Sequence, residues 1–174
     1  MTQSVIDGST VKLYYESRLA KVWTNDEVLK QIDEYYDDLD KTEKADKNSI
    51  ERSKAEMSKI KVILEDDNMI DLFARDIMKH YQERKNFLNG KAMIICQTRL
   101  AAAKLYKKIA EEVCPEMKDQ IILVVTESNK DNDEMRKLFG NSDYRKELGE
   151  EFKKDTSKYK IAIVVDMWLT GFDV

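Results

Sequence analysis

Apolar residues recur along this chain in two different rhythms. Up to about residue 88 they return every three or four positions, the spacing of a helix with one inward face. Val28, Ile32, Tyr35, Tyr36 and Leu39 form one such stripe. Ile70, Phe73, Ile77 and Tyr81 form another, on a helix predicted to start near Asp67 and to end at Phe87 to Gly90. The first stripe follows Thr24-Asn-Asp-Glu27, a capping box in which the Thr hydroxyl and the Glu carboxylate each satisfy a free amide. Trp23 and Val28 flank the cap as a hydrophobic staple. Between the stripes, residues 40–60 are mostly Lys, Glu, Asp and Ser, with Ile50, Met57 and Ile60 on one side. That pattern fits a solvated helix with a thin seam, or a linker. Ahead of these, Val11, Leu13 and Tyr15 alternate with polar neighbours, which predicts a short strand near 10–16.

From residue 89 the rhythm changes. Ala92-Met-Ile-Ile-Cys96, Ile121-Ile-Leu-Val-Val125 and Ile161-Ala-Ile-Val-Val165 are short continuous apolar runs separated by helical patterns. Such runs predict strands covered on both faces, and their alternation with helices predicts a parallel α/β sheet. Thr98 is placed to cap the helix after the first strand, whose inner face is Ala102, Leu105, Ile109 and Val113, and Pro115 stops it. Two shorter helices are expected before the third strand. One runs from about Asp133 to Phe139 and is stopped by Gly140; the other starts near Asp143, with Tyr144, Leu148 and Phe152 on one face. The chain thus divides at residues 88 and 89, a mainly helical connector over 1–88 and an α/β unit over 89–174.

The chain has 174 residues, enough to bury a core without disulfides or metals. Thirty basic and thirty-four acidic residues leave a net charge of −4, which excludes a uniformly basic nucleic-acid coat but not a local basic groove. No apolar run approaches the roughly 18 residues of a membrane span. Cys96 and Cys114 are too few for a disulfide scaffold and are not spaced as a metal knuckle, so both read as packed thiols in a reducing, cytoplasmic setting. His80 stands without a second His or Cys at ligand spacing and reads as a half-buried, hydrogen-bonded side chain.

Candidate chemistry gathers where strands end. In open α/β sheets ligands bind beyond the carboxyl ends of the strands, and Asp166 ends the third. A strand-end Asp can be a magnesium carboxylate, which needs a phosphate loop elsewhere. Asn89-Gly-Lys91 is not one, because it lacks the leading glycine and the Ser or Thr after lysine. The plain alternative is an Asp that caps a turn.

The run Ile161-Ala-Ile-Val-Val-Asp-Met-Trp-Leu-Thr-Gly-Phe-Asp-Val174 resembles motif V of the motor subunit of type I restriction endonucleases. Lys91-Ala-Met-Ile-Ile-Cys-Gln-Thr-Arg-Leu-Ala-Ala-Ala-Lys-Leu-Tyr106 resembles that family's motif IV, and Asp7-Gly-Ser-Thr-Val-Lys-Leu-Tyr-Tyr-Glu-Ser-Arg18 is similar to its entry into the second motor lobe. The resemblance is strong over 91–106 and 160–174 and loose between. It implies an α/β fold, a partial RecA-like lobe with a parallel sheet and flanking helices, preceded by the helical connector. It also implies a piece of an ATP- and Mg2+-dependent superfamily-two translocase on double-stranded DNA, acting with specificity and methyltransferase subunits.

By the same resemblance, Asp166, Thr170, Gly171 and Asp173 belong to the nucleotide cleft: Gly171 allows close backbone approach, and Asp173 faces the ribose or the cleft arginines. The general motif has Thr before its Asp; Val165 stands here, and Thr170 is the candidate to supply that hydroxyl. Thr98 and Arg99 match the motif that meets the DNA backbone. They open a helix whose free amides favour phosphate, and Arg99 can add a bidentate bond. The alternative is that Thr98 only caps and Arg99 is solvated. The sequence contains neither phosphate loop nor DExH strand, and neither the arginine-rich motif VI nor the nuclease residues. The expectation is therefore an excised part of a longer enzyme, without catalytic residues of its own and binding no ATP by itself. A stand-alone α/β binding or regulatory module, or part of another superfamily-two helicase, are the alternatives.

Overall fold

A computed structural model describes residues 61, 63–85, 90–129, 131 and 133–168. The strand expected near 10–16, the capping box, the stripe over 28–39 and the seam of 40–60 lie outside the described residues. Of the stop expected over Phe87 to Gly90, only Gly90 is among the described residues.

Helix α1 (Asp67–Lys85) opens the described part. Strand β1 (Ala92–Ile95) follows, then α2 (Arg99–Lys107), which runs directly into a π-helical stretch, Lys108–Val113. A 3-10 stretch, Pro115–Gln120, leads into β2 (Ile121–Val124). Helices α3 (Asp133–Phe139) and α4 (Ser142–Lys153) precede β3 (Ile161–Val164). All three strands are parallel, in the order β1-β3-β2, with Ala92 and Ile121 both level with Ile161. This is the layered α/β arrangement that the alternating runs predicted, consistent with a partial RecA-like lobe.

Each strand sends successive side chains to opposite faces, and β2 and β3 are covered on both. Strand β1, at the edge of this sheet, is only half-buried and its Ile95 is 58% exposed, contrary to the cover expected for the 92–96 run. On one face Ile121, Leu123, Val125, Ile161, Ile163 and Val165 pack with Ile70, Ala74 and Met78 of α1 and Ala102 and Leu105 of α2. On the other face Ile122, Val124, Ala162 and Val164 pack with Leu148 and Phe152 of α4. Tyr144, placed on that stripe by its spacing, is instead 48% exposed, because it sits in the first turn of α4, beyond the sheet's cover. The three alanines of α2, Ala101, Ala102 and Ala103, are buried, and their small side chains let the helix lie close to its neighbours.

The ends of the elements follow local chemistry. Thr98 is extended and its hydroxyl accepts from the Ala101 amide at 3.1 Å, the expected cap. Asn141 caps α4 in the same way, accepting from the Tyr144 amide at 2.8 Å. After α2, the Cys114 amide reaches back to the Ile109 carbonyl at 2.9 Å, the wider spacing of a π-turn, before Pro115 prevents continuation. The Lys91 ammonium donates to the carbonyls of Phe152 and of Lys154, the latter at 2.9 Å. This lysine thereby satisfies free carbonyls at the end of α4. Gly140, between α3 and α4, has φ +64, and a Cβ there would lie 2.3 Å from Tyr144 Cδ1.

The two cysteines are thiols inside the fold. Burial pushes Cys96 up to about 11 and raises Cys114, burial again the larger cause. Two outcomes follow. Gly140→Ala should lower stability by about 1–2 kcal/mol in denaturant unfolding, the cost of a Cβ in the left-handed region. Because Cys96 holds its proton in the fold to higher pH than when unfolded, stability should be full below about pH 9 and fall as pH approaches 11. Cys96→Ala should remove that part of the decline, measured as unfolding midpoints across the alkaline range.

Candidate functional site

The carboxyl edge of the sheet is formed by three exits. Cys96, Gln97, Thr98 and Arg99 leave β1, Val125 to Asn129 leave β2, and Val165 to Trp168 leave β3. With parallel strands, all three exits lie at one end, where side chains from separate elements converge.

The exit from β3 departs from ordinary backbone. Asp166 has φ +50 and Trp168 has φ +61. Asp tolerates this region through its short polar side chain, but a bulky aromatic there is unusual. A residue so placed costs of order 1–3 kcal/mol and persists only where the surroundings hold it. For Trp168 the surroundings are visible: its ring stacks on Phe152, centroids 5.9 Å apart and planes 24° from parallel, and it packs on the α4 side of the core. Such a pair contributes about 0.5–1.5 kcal/mol beyond burial. Asp166 itself is exposed at the edge, whereas Val165 is buried against the opposite core layer. The position that carries Thr in the general motif thus points into apolar packing here. Thr170, Gly171 and Asp173 lie outside the described residues.

Beside this exit, between β2, α4 and β3, lies a cavity of about 310 Å³ lined by Thr126, Arg145, Lys146, Lys153, Met167 and Trp168, among others. Arg145 donates to the Gly140 carbonyl at 3.1 Å and Lys153 reaches Glu150 at 3.2 Å. Its lining thus combines basic side chains with those of Met167 and Trp168. A second cavity, about 190 Å³, lies by Tyr106, Lys118, Tyr144 and Tyr159, beside the 3-10 stretch that enters β2.

At the exit from β1, Thr98 and Arg99 are both engaged within the fold. The Thr98 hydroxyl accepts from the Ala101 amide and donates to Glu65 Oε1 at 2.7 Å. Arg99 is the first residue of α2, and its Nη1 donates to Asp131 Oδ2 at 2.8 Å and to the Thr126 carbonyl at 3.1 Å. Asp131, with 1% of its side chain exposed, also accepts from the Ser128 amide at 2.6 Å through the same oxygen. Arg99 is therefore neither a freely solvated side chain nor one wholly withdrawn, since 27% of its side chain remains exposed. Sequence reasoning missed Asp131. It lies in the polar run after β2, where no periodicity singles out one carboxylate, and its partner is 32 positions earlier.

Among the described residues no three His, Cys, Asp or Glu side chains come together as a metal site. No buried side-chain nitrogen or oxygen among them lacks a hydrogen-bond partner, and no helix among them is long and apolar enough to cross a membrane.

No protein-family model matches the chain, and no solved structure does. Two curated proteins match nearly all of it. A putative type I restriction enzyme MjaIXP endonuclease subunit of Methanocaldococcus jannaschii is 30% identical over 167 residues, 96% of this chain. The type I restriction enzyme HindI endonuclease subunit of Haemophilus influenzae is 28% identical over 183 aligned residues, 99% of this chain. The chain is similar to part of a type I restriction enzyme endonuclease subunit. It spans 16% of the length of each of these two subunits. The resemblance carried by the sequence motifs is thus matched by similarity along almost the entire chain.

The stacked Trp168 gives a direct test of how the β3 exit is held. Trp168→Ala should lower stability by about 1–3 kcal/mol in denaturant unfolding, less than the loss of a fully buried aromatic because Trp168 is only half-buried. Trp168→Phe, which keeps a ring over Phe152, should stay within about 1.5 kcal/mol of the unaltered chain.

Proposed function

We propose that this chain forms part of the motor of a type I restriction enzyme. In this reading it contributes the start of the second RecA-like lobe of a superfamily-two translocase that moves on double-stranded DNA in the cytoplasm. The intact enzyme works with specificity and methyltransferase subunits and cleaves foreign DNA. The observation that carries the reading is the similarity of almost the whole chain to endonuclease subunits of such enzymes. The parallel sheet with its three exits at one edge supports it, because such an edge is where an α/β lobe meets its ligand.

ATP, when bound, would supply the free energy for stepping. This chain's share of its pocket is Asp166 at the β3 exit with Thr170, Gly171 and Asp173 beyond it. Among the described residues, Asp166 is not part of any group of three His, Cys, Asp or Glu side chains that could hold a metal ion. The described residues do not fit Mg2+ by themselves, and the phosphate loop that would hold the triphosphate is not in this sequence. The chain's own residues orient and couple: the β3 exit faces the nucleotide, and the β1 exit faces the DNA backbone through Arg99 and the free amides that open α2.

Two outcomes test this. The purified chain should show no DNA-stimulated ATP hydrolysis; turnover at stoichiometric protein would contradict the missing phosphate cradle. In a motor subunit carrying this chain, Asp173→Ala should slow ATP-driven displacement of a DNA triplex while the far-ultraviolet circular dichroism stays unchanged. Unaltered displacement would remove Asp173 from the cleft.

A further inference from the structure

The Arg99–Asp131 pair joins the segment that leaves β1 to the loop that leaves β2, the two strands on either side of β3. Its two ends are unequal. Asp131 is enclosed, with one carboxylate oxygen taking both the Arg99 Nη1 hydrogen and the Ser128 amide. Arg99 is partly open, and both of its hydrogen bonds leave from Nη1. Among the described residues its Nε and Nη2 hydrogens meet no acceptor, and those two nitrogens form one edge of the planar guanidinium, the edge that binds an oxyanion bidentately.

A long side chain loses rotamer freedom when it binds, and one already held in place loses less. We propose that Asp131 is a positioning residue for Arg99: it holds the guanidinium by Nη1 so that the Nε–Nη2 edge is presented to a phosphate of the DNA backbone. The inference rests on the reading of Arg99 as a backbone contact. It adds a buried acid that strengthens binding to a polyanion, against the sign expected from its charge.

That sign is the test. A negative charge near DNA repels it, so removing one without consequence for Arg99 should tighten binding. If Asp131 places Arg99, Asp131→Ala should loosen it instead. The purified chain is titrated against a fluorescent duplex oligonucleotide across a range of salt, with each variant's fold checked by circular dichroism. Arg99→Ala should lower the salt slope by about one and weaken binding roughly five- to tenfold at 0.1 M salt, the share of one phosphate. Asp131→Ala should weaken binding similarly, and Arg99→Ala with Asp131→Ala should be no weaker than Arg99→Ala alone. Asp131→Asn keeps an oxygen able to accept both bonds, so it should bind at least as tightly as the unaltered chain, with its salt slope preserved. Absent duplex binding, or an unchanged slope in Arg99→Ala, would remove the phosphate contact and this proposal with it. A normal loss in Arg99→Ala beside unchanged or tighter binding by Asp131→Ala would keep the contact and overturn the role of Asp131. Should Asp131→Ala fail to fold, Asp131→Asn decides: a slope already reduced to that of Arg99→Ala overturns the placement by hydrogen bonding.

Discussion

Two of the three strands, β2 and β3, are buried on both faces, and the central one is apolar from Ile161 to Val165. Every other feature adapts to that constraint. Helices must cover each face, so polar side chains are driven to the strand ends and the outer helix surfaces. Residues that carry charge near the core then survive only where a partner is at hand, as Asp131 does beside Arg99 and the Ser128 amide. The concentration of polar groups at one edge of the sheet is thus a result of packing before it is a matter of chemistry.

At that edge, order is maintained by two unlike means. The β1 and β2 exits are linked by charge, through a pair whose acidic member has almost no contact with water. The β3 exit is held by ring stacking, which keeps Trp168 in a backbone conformation rare for its size. Salt weakens exposed ion pairs but leaves apolar stacking largely intact, and an enclosed pair lies between these extremes. The three exits therefore need not loosen together when conditions change.

Much of the fold was legible because short apolar runs between helical patterns leave an obvious trace, although only the second and third runs are buried on both faces. The runs at 92, 121 and 161 became strands, and Thr98 and Gly140 mark the start and stop of helices for reasons each residue type carries in itself. What was not legible depends on partners distant in sequence. Lys91 looks like a failed phosphate loop when read with its neighbours, yet it closes α4 more than sixty positions later. Asp131 looks like any acid in a polar run. The strain at Asp166 and Trp168 was equally hidden, since glycine is the residue that signals such backbone and neither is glycine. Asp166 was readable as a strand-end residue, and it does lie just beyond β3. The arrangement of Arg99 needed the loop after β2, which no local pattern brings near it.

The strand order has a consequence for how the molecule comes together. Among the described residues, β1 and β2 are not neighbours and each borders only β3, so neither acquires a ladder partner from the other two described strands before β3 arrives. The Lys91 contacts span 61 and 63 positions and await the same late event. Wide sequence separations of this kind slow folding, because chain entropy is lost before the contacts that compensate for it form. A ribosome would thus release most of this α/β unit with its helices able to form early, and the sheet would close in one concerted step once Ile161 to Val164 had emerged.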